Sequence, residues 1–256
     1  MSSTEVLTPP SSETAVLRHL PSGADFDIYG PPLEELLPKV ELLETDGDKL
    51  ETEWHRLVIE LLLQCLRNHL RDRDDYYAGG NMFLYYSETQ ARNLDYRGPD
   101  FFFVKNVERK IRPYWAVWQE EGRYPNAIIE LASPSTIRTD RTVKKDIYEQ
   151  TFRTPEYFLY DNLTEQLDGW RLDEHGAYRP LHPNDRGWLW SEQLQLWLGV
   201  WSGTCFGYSE RWLRFFDSNG VVVPTDKELA TREQQQKEEV IAEVARLKEL
   251  LAIANR

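Results

Sequence analysis

The sequence predicts an α/β fold with a mixed central sheet between helices, followed by an extended C-terminal helix. Three observations favour this class. Short apolar runs that are typical of strands alternate with segments of helical periodicity between residues 51 and 160. Hydrophobic residues make up 41% of the 256-residue chain, which is enough to fill one sizeable core. From Thr225 onward the composition changes to Glu, Gln, Lys and Arg around a thin apolar seam, as in an exposed helix.

These shifts in composition divide the chain into three parts. Residues 1–30 are rich in Ser, Thr, Pro and Gly without periodicity, which indicates a disordered or loosely attached arm. Residues 31–216 carry the strand and helix patterns, and we assign them to the folded domain. Residues 225–256 are assigned to the C-terminal helix, which could form a coiled coil.

The first predicted helix covers residues 51–70. Its apolar side chains recur at steps of three and four residues and therefore form one stripe, namely Trp54, Val58, Leu61, Leu62, Cys65, Leu66 and Leu70. Two strands, at 76–77 and 82–86, are predicted on either side of the turn signal Gly79-Gly80-Asn81.

Two continuous apolar runs, 101–104 and 127–131, predict the next strands. Ser133-Pro134-Ser135-Thr136 then breaks the chain, and a helix is expected over residues 137–152. A strand at 156–160 follows, and 166–172 with 178–181 have the pattern of a hairpin.

The stretch 188–212 is rich in tryptophan and is divided by Gly199, Gly203 and Gly207. Its short apolar pieces favour core or lid residues over a platform for stacking bases.

In the C-terminal helix, Thr225-Asp226 forms the predicted cap. The apolar seam of this helix consists of Leu229, Val240, Val244, Leu247, Leu250 and Leu251. The seam is irregular between Arg232 and Glu239, and its later part predicts self-association of the chain as a homodimer through this helix.

The net charge of −13 argues against a nonspecific nucleic-acid binder, which normally has a basic footprint. The charge is uneven, however, because acidic residues crowd residues 34–53 and the C-terminal helix. Basic residues flank the strands at 101–104 and 127–131, namely Arg97, Lys105, Arg109, Lys110, Arg112, Arg138, Arg141, Lys144 and Lys145. A locally positive surface therefore remains compatible with the total charge.

The chain's two cysteines, Cys65 and Cys205, are far apart in sequence and have no metal-binding spacing. Neither a zinc site nor a disulfide framework is expected. The first residues have no pattern of a secretion signal, and no apolar run reaches the roughly 18 residues that span a bilayer. We therefore expect a cytoplasmic protein without a membrane partner.

Two of the predicted strands carry a carboxylate, Asp100 at the entrance to one and Glu130 within the other. Taken alone, Asp100 has the position of a turn residue. Glu130 lies in an otherwise apolar strand, where an acidic side chain is costly unless it is paired, protonated or bound to a cation. Together the two acids predict oxygen ligands for Mg²⁺, with Mn²⁺ as an alternative.

Metal-assisted cleavage of a phosphodiester also requires a cation near the attacking water. In the common arrangement a lysine lies two residues after the second acid, but here that position is Ala132. Lys144 and Lys145 on the following helix could replace it. Lys144 shares a helix face with Asp140 and Tyr148, although the same spacing also fits a surface salt bridge between Asp140 and Lys144.

The order of these residues resembles the Uma-two family of restriction endonucleases, within the PD-(D/E)XK nuclease superfamily. The resemblance covers residues 51–212 and rests on Pro99-Asp100, Glu130 with Ser133-Pro134-Ser135-Thr136, Asp140, Lys144 and Tyr148, and Pro155-Glu156-Tyr157-Phe158. It implies a restriction-endonuclease-like core, metal ligation by Asp100 and Glu130, and a catalytic lysine that has moved to the following helix, at Lys144.

The resemblance also implies an acid on the first core helix. Glu51 is the first candidate and Glu53 the second. His55, close to the start of the same helix, could transfer protons, although a capping or surface role is favoured.

The sequence therefore predicts a Mg²⁺-dependent endonuclease that hydrolyses phosphodiester bonds in DNA, in a restriction or mobile-element system. The predicted site comprises Asp100, Glu130, Lys144 and Glu51. The alternative is a catalytically inactive module that keeps the fold and recruits a partner through its C-terminal helix. The acidic total charge favours the alternative, whereas the set of Asp, Glu and Lys favours the enzyme.

Overall fold

A computed structural model describes residues 52–89, 98–134 and 136–254 of the chain. The predicted N-terminal arm at 1–30 and the candidate acid Glu51 lie outside these residues. The first described element is helix α1, Glu53–His69, which begins at the N-cap Thr52. Its buried face lies on the apolar stripe that predicted it, because that stripe packs into the main core.

The centre of the fold is a six-stranded mixed sheet with the strand order β1-β3-β5-β6-β7-β8. Its strands are β1 Tyr76–Gly79, β3 Phe101–Lys105, β5 Ala127–Ala132, β6 Glu156–Asp161, β7 Gln166–Leu172 and β8 Tyr178–Pro180. Only β5 and β6 pair in parallel, and the other neighbours are antiparallel. The predicted mixed sheet is thus confirmed.

One core lies on each face of this sheet. The face that carries Phe101 and Ile129 packs against α1, whereas the face that carries Phe102 and Ile128 packs against the residues around Tyr148. Strands β3 and β5 are therefore buried on both faces, which explains why their sequences are continuously apolar.

The second predicted strand was partly wrong. Only Leu84–Tyr85, β2, is extended within 82–86, and it does not form a hairpin with β1. Instead β1 pairs with β3, while β2 pairs in parallel with the short strand β4, Trp115–Ala116. A turn of 3-10 helix, Val117–Gln119, follows β4.

The tryptophan-rich stretch forms a three-stranded antiparallel sheet, which the sequence did not predict. Its strands are β9 Leu189–Ser191, β10 Leu196–Cys205 and β11 Tyr208–Phe216. Strand β11 packs on α1, and Trp212 is buried in the same core. The expectation of a core role therefore applies to Trp212.

The predicted helix at 137–152 is present as α2, residues 137–151, but it is not a regular α-helix. One α-helical turn, Ile137–Thr139, leads into two π-helical stretches, Asp140–Lys144 and Ile147–Thr151. Such turns are closed by i→i+5 hydrogen bonds and therefore hold between four and five residues. Residues four apart, as Asp140 and Lys144 are, consequently stay nearly in line along the helix.

Helix α3, Asp226–Ala254, ends the described chain. The predicted cap is present as a reciprocal pair, in which Thr225 Oγ1 accepts from the Glu228 N–H at 3.2 Å and Glu228 Oε2 accepts from the Thr225 N–H at 2.7 Å. The apolar seam is exposed from Val240 to Leu251. None of the helices in the described ranges is long and apolar enough to cross a membrane.

Candidate functional site

The pairing of β3 with β5 brings the two predicted acids together. Phe101 lies opposite Ile129 in this antiparallel pair, so Asp100, one residue before β3, faces Glu130. The Asp100 N–H points to Glu130 Oε2 at 3.4 Å, and the Leu131 N–H donates to Asp100 Oδ2 at 2.7 Å. The two carboxyl groups therefore meet at the end of β3.

A glycine allows the chain to pass close to this point. The Asn81 N–H donates to the carbonyl oxygen of Asp100 at 3.2 Å, which holds residues 80–81 against the start of β3. A Cβ atom at Gly80 would lie 2.3 Å from Ile59 Cγ2 and 3.1 Å from the Asp100 oxygen. Only glycine fits between the helix and the acid without a shift of one of them.

Burial dominates the protonation of both acids. Glu130 is fully buried, and burial together with the nearby charge of Asp100 raises the pKa of its carboxyl group to about 7, against the opposing effect of Lys144. Burial also raises the pKa of Asp100, although the hydrogen bond from Leu131 and the charge of Lys144 act in the opposite direction. Without a bound cation, the pair therefore tends to hold a proton.

Lys144 joins the acid pair from helix α2. Its Nζ lies 3.1 Å from Glu130 Oε2 and 2.8 Å from Asp140 Oδ1. The side chain of Lys144 remains 23% exposed, whereas Glu130 and Asp140 are almost completely buried. Burial lowers the pKa of Lys144, but Glu130 and Asp140 raise it further, so the net shift is upward and the amine stays charged.

Lys145 points elsewhere. Its Nζ lies over the rings of Trp170 and Tyr178, at 5.3 and 5.6 Å from the two ring centroids. The structure therefore brings Lys144, and not Lys145, to the two acids. The pair formed by Asp140 and Lys144 is not the surface salt bridge that the spacing also allowed, since Asp140 is only 1% exposed.

Tyr148 and Asp140 complete the site, although neither was among the predicted site residues. The Tyr148 hydroxyl donates to Glu130 Oε1 at 2.7 Å, and burial next to Glu130 raises the pKa of Tyr148 well above its usual value. The backbone oxygen of Asp140 accepts from the Tyr157 hydroxyl at 3.0 Å. The spacing of 140, 144 and 148 was the available signal, but it did not show that all three side chains turn inward.

His55 contacts the strand that carries Glu130. It is buried, its Nε2 lies 3.0 Å from the Leu131 carbonyl oxygen, and its Nδ1 lies 2.7 Å from Thr52 Oγ1. Because a carbonyl can only accept, Nε2 carries the proton and Nδ1 accepts from the threonine. The surface alternative was wrong because His55 is buried, whereas its contact with the N-cap Thr52 agrees with the capping alternative. His55 also ties the start of α1 to β5.

Of the two acids predicted at the start of the first helix, only the second choice lies in the described residues. Glu51 lies outside them, and the second choice, Glu53, is exposed and pairs with Arg56 at 3.6 Å. The basic residues around the two strands also separate. Arg141 of helix α2 forms an ion pair with Asp168 of β7 at 2.8 Å. Arg109 and its neighbours lie beside β1 instead.

The acid pair fits a divalent cation that keeps much of its water. Asp100 and Glu130 face each other across the pairing of β3 with β5, and burial raises the pKa of both carboxyl groups, so a cation could replace the proton that the pair tends to hold. Across residues 52–89, 98–134 and 136–254, no group of three or more His, Cys, Asp or Glu side chains is arranged to hold a metal. Mg²⁺ suits such a site, because it usually binds one or two carboxylates and retains water.

Comparison with known proteins relates this chain to nucleases. Residues 31–204, well over half of the chain, match the sequence profile of the Uma2 family, described as "Putative restriction endonuclease". The crystal structure at 1.96 Å resolution of "a putative nuclease belonging to DUF820" from Anabaena variabilis ATCC 29413 aligns with a TM-score of 0.41 at 13% sequence identity. This alignment covers 63% of this chain and 88% of that chain. No curated protein shows significant sequence similarity to the chain.

Proposed function

The chain belongs to the Uma2 family, and from this membership and the geometry of the site we propose that it is a Mg²⁺-dependent endonuclease that hydrolyses phosphodiester bonds in DNA. One observation carries the proposal. A charged lysine, Lys144, contacts one member of a buried pair of acids while its own side chain remains partly open to solvent. An acid pair that could hold a hard cation, next to a fixed positive charge, is suited to a phosphate that gains charge during hydrolysis.

In this proposal Asp100 and Glu130 bind the cation through carboxylate oxygens. When bound, Mg²⁺ or Mn²⁺ would lower the pKa of a coordinated water molecule and offset charge on the phosphate. Tyr148 donates to Glu130 Oε1 and thereby turns the other oxygen, Oε2, towards Lys144 and Asp100. The acids are thus oriented by hydrogen bonds before the substrate arrives.

Lys144 acts as a fixed cation rather than as a base, because its two acidic neighbours keep it protonated. Its Nζ forms ion pairs with Glu130 and Asp140 and can donate up to three hydrogen bonds. Because the side chain is partly open to solvent, the ammonium group can also reach a phosphate oxygen or the attacking water. Asp140 positions Lys144 from within the protein and does not need to touch the substrate.

A second function is supported by helix α3. Five apolar residues of its seam are exposed, and the net charge of −13 opposes association with DNA. Both observations suit a binding or assembly module that recruits a partner through the helix and does not cleave DNA. We favour the enzyme, because assembly through α3 gives no reason for a lysine to approach two buried acids.

The test is the conversion of supercoiled plasmid DNA to nicked and linear forms in Mg²⁺, Mn²⁺ and EDTA. We expect activity with either cation, none in EDTA, and none in Asp100→Asn. Asp146→Asn is the matched control, because Asp146 is an exposed acid of helix α2. This variant should cleave DNA like the wild type. Cleavage in EDTA, or equal cleavage by Asp100→Asn, would contradict the proposal. A folded protein that is inactive with both cations would favour the assembly module.

A further inference from the structure

A cavity of about 490 Å³ lies along β1, at the outer edge of the six-stranded sheet. It is bounded by helix α1 on one side and by the segment 109–112 on the other. Its lining residues are Arg67, Tyr76, Tyr77, Ala78, Arg109, Lys110, Ile111 and Arg112. Four of these are basic and none is acidic, in a chain whose net charge is −13.

Two of the four positive charges have internal partners. Arg112 is buried and binds Glu120 through two hydrogen bonds, Nε to Oε1 at 2.7 Å and Nη2 to Oε2 at 2.9 Å. Lys110 lies 3.8 Å from a Glu108 oxygen, at the limit of an ion pair. Arg67 and Arg109 are exposed and form no ion pair with any residue in the described ranges. The cavity therefore keeps an excess of positive charge from two arginines that arise on different elements.

Tyr76 forms part of the wall of the cavity. Tyr76 is only 2% exposed, and its hydroxyl is buried without a hydrogen-bond partner in the part of the chain that the structure describes. A buried hydroxyl without a partner is costly, since it has lost its hydration. The guanidinium of Arg109 lies over the same ring, 5.7 Å from its centroid. The hydroxyl has almost no accessible surface, so a negatively charged ligand in the cavity would pair with Arg109 and not with the Tyr76 hydroxyl.

The segment that carries Arg109 is held in place before any ligand arrives. Arg112 Nη1 donates to the carbonyl oxygens of Glu108 and Lys110, at 3.1 and 3.3 Å. Its guanidinium also lies over Trp115, 5.0 Å from the ring centroid. Arg112 is thus a positioning residue that fixes the loop. Between these anchored residues Ile111 is 99% exposed at the cavity, where it could contact an apolar part of a ligand.

This cavity is separate from the acid pair. Tyr76 lies opposite Lys105 in the pairing of β1 with β3, and Lys105 follows Asp100 by five residues. At about 3.3 Å per residue, the two sites are roughly 16 Å apart along the strand. The cavity therefore cannot serve the same phosphate as Lys144.

We propose that the cavity along β1 is a phosphate-binding site, in which the exposed side chains of Arg67 and Arg109 supply the charge and the hydrogen bonds. The phosphate group belongs either to a free nucleotide or to the backbone of a nucleic-acid strand, and Ile111 contacts the adjoining sugar or base. Guanidinium groups bind phosphate through several charge-assisted hydrogen bonds, which suits two arginines that converge from α1 and from 109–112. The inference does not depend on the proposed cleavage reaction.

Binding is measured in EDTA, so that cleavage plays no part. The probes are inorganic phosphate and 5′-dAMP by isothermal titration calorimetry, and a short fluorescein-labelled single-stranded oligonucleotide by anisotropy. The double variant Arg67→Gln/Arg109→Gln should bind each probe that the wild type binds at least about tenfold more weakly, because charge-assisted hydrogen bonds are lost. Arg71→Gln is the matched control, since Arg71 is an exposed arginine one turn beyond Arg67 and does not line the cavity.

Two further variants separate the sources of the phosphate. Ile111→Ser should weaken the binding of 5′-dAMP and of the oligonucleotide but not the binding of inorganic phosphate. Tyr76→Phe should bind every probe like the wild type, because the hydroxyl that it removes has almost no accessible surface. Tight binding of 5′-dAMP supports a free nucleotide, and binding of the oligonucleotide alone supports a strand. The inference is overturned if none of the three probes binds, or if the double variant and Arg71→Gln bind all of them equally. All of these measurements are made in EDTA, so a failed cleavage assay leaves this result interpretable.

Discussion

The position of Glu130 illustrates how burial can prepare a carboxylate for a cation. Its side chain is enclosed by the protein, with Tyr148 on one oxygen and Lys144 on the other. Burial raises its pKa to about 7, so near neutral pH the site lies between a protonated and an ionised form. A divalent cation competes with that proton, since metal ligands must be deprotonated.

This competition predicts opposite effects of pH in the absence and presence of metal. In EDTA, the native state binds a proton at Glu130 that the unfolded chain has already released at its ordinary, lower pKa. The stabilisation that Glu130 contributes is therefore fully present at pH values below the pKa that Glu130 has in the unfolded chain. It is lost as the pH rises through about 7. With Mg²⁺, the gain in the free energy of unfolding over EDTA, read as a rise in thermal midpoint, should instead grow across the same range, to about 3 kcal/mol at a hundredfold excess over Kd.

The measurement is differential scanning fluorimetry at pH values of about 6 and about 8, on either side of the titration. The double variant Asp100→Asn/Glu130→Gln should lose both the shift with Mg²⁺ and its dependence on pH. A shift of equal size in this variant would place the cation elsewhere in the chain. The acid-rich residues 34–53 would then be the next candidates.

A second prediction concerns Lys144. Its replacement by alanine should lower kcat by about 10²–10³-fold, because a preorganised positive charge next to the phosphate is lost. The change should also lower stability near neutral pH, since Glu130 and Asp140 would be buried without their cation. Cleavage rates are therefore compared well below the thermal midpoint of each variant.

Lys145→Ala is the matched control for this prediction. Its Nζ lies over the faces of two aromatic rings, so its removal should cost about 1 kcal/mol of stability or less and leave kcat nearly unchanged. An active Lys144→Ala together with an inactive Lys145→Ala would show that the choice between these neighbours was wrong.

Among the elements, the sequence predicted best those strands whose burial is uniform. The runs at 101–104, 127–131 and 156–160 are buried on both faces, and their continuous apolar character follows directly from that burial. The partner strand of residues 82–86 was not predicted, because a turn signal shows where the chain bends but not which strands pair. Leu84 and Tyr85 pair with Trp115 and Ala116, about thirty residues further on.

The site was predictable to the extent that its residues share an element. Asp140, Lys144 and Tyr148 recur at equal spacing, so their common face could be proposed from the sequence. The π-helical turns that keep them in line have no known sequence signal. The cavity along β1 was not predictable either, because Arg67 and Arg109 meet only after α1 and the sheet have packed.

A third prediction concerns the contact between the six-stranded sheet and the three-stranded sheet. Glu156 on β6 is fully buried and accepts hydrogen bonds from Arg171 Nε at 3.0 Å and from the Ser191 hydroxyl at 2.5 Å. The backbone N–H groups of Glu192 and Gln193 add two more, at 2.9 and 3.2 Å. One carboxylate thus fastens the loop after β9 to the central sheet.

Glu156→Ala should lower the free energy of unfolding by about 3–5 kcal/mol, because it leaves a partly buried arginine and several donors without an acceptor. Glu192→Ala is the control. It removes the other acid that pairs with Arg171, but this acid is 55% exposed and should cost less than about 1 kcal/mol. Urea unfolding compares the two, and equal midpoints would show that the sheets are held together mainly by their apolar contacts.

At the scale of the whole molecule, helix α3 has two distinct parts. Its first turn belongs to the core, because the completely buried Arg214 binds Glu228 through Nη2 at 2.8 Å and Nη1 at 3.2 Å. Its later part leaves the core, and the seam residues Val240 and Leu251 are more than 60% exposed. A helix that is polar apart from one exposed stripe gains most of its stability from a partner.

The last prediction is that this partner is a second copy of the chain. Residues 240, 244, 247 and 251 follow the alternating steps of four and three that a coiled coil requires. A homodimer would also bring together the two active sites that cleavage of both DNA strands usually needs. Truncation after Lys237 should therefore halve the mass found by sedimentation. Truncation after Pro224 is less suitable, since it would remove Glu228 and leave Arg214 buried without its partner.

Point variants test the same interface without shortening the chain. Val244→Glu/Leu247→Glu should dissociate the dimer, whereas Ala242→Glu, on the opposite side of the helix, should not. Both proteins should keep the thermal midpoint of the folded domain. If the wild type already sediments as a monomer at micromolar concentration, α3 serves as a lone arm or as a docking segment for another protein. Each molecule would then present a single active site, and nicking of one strand would become the expected reaction.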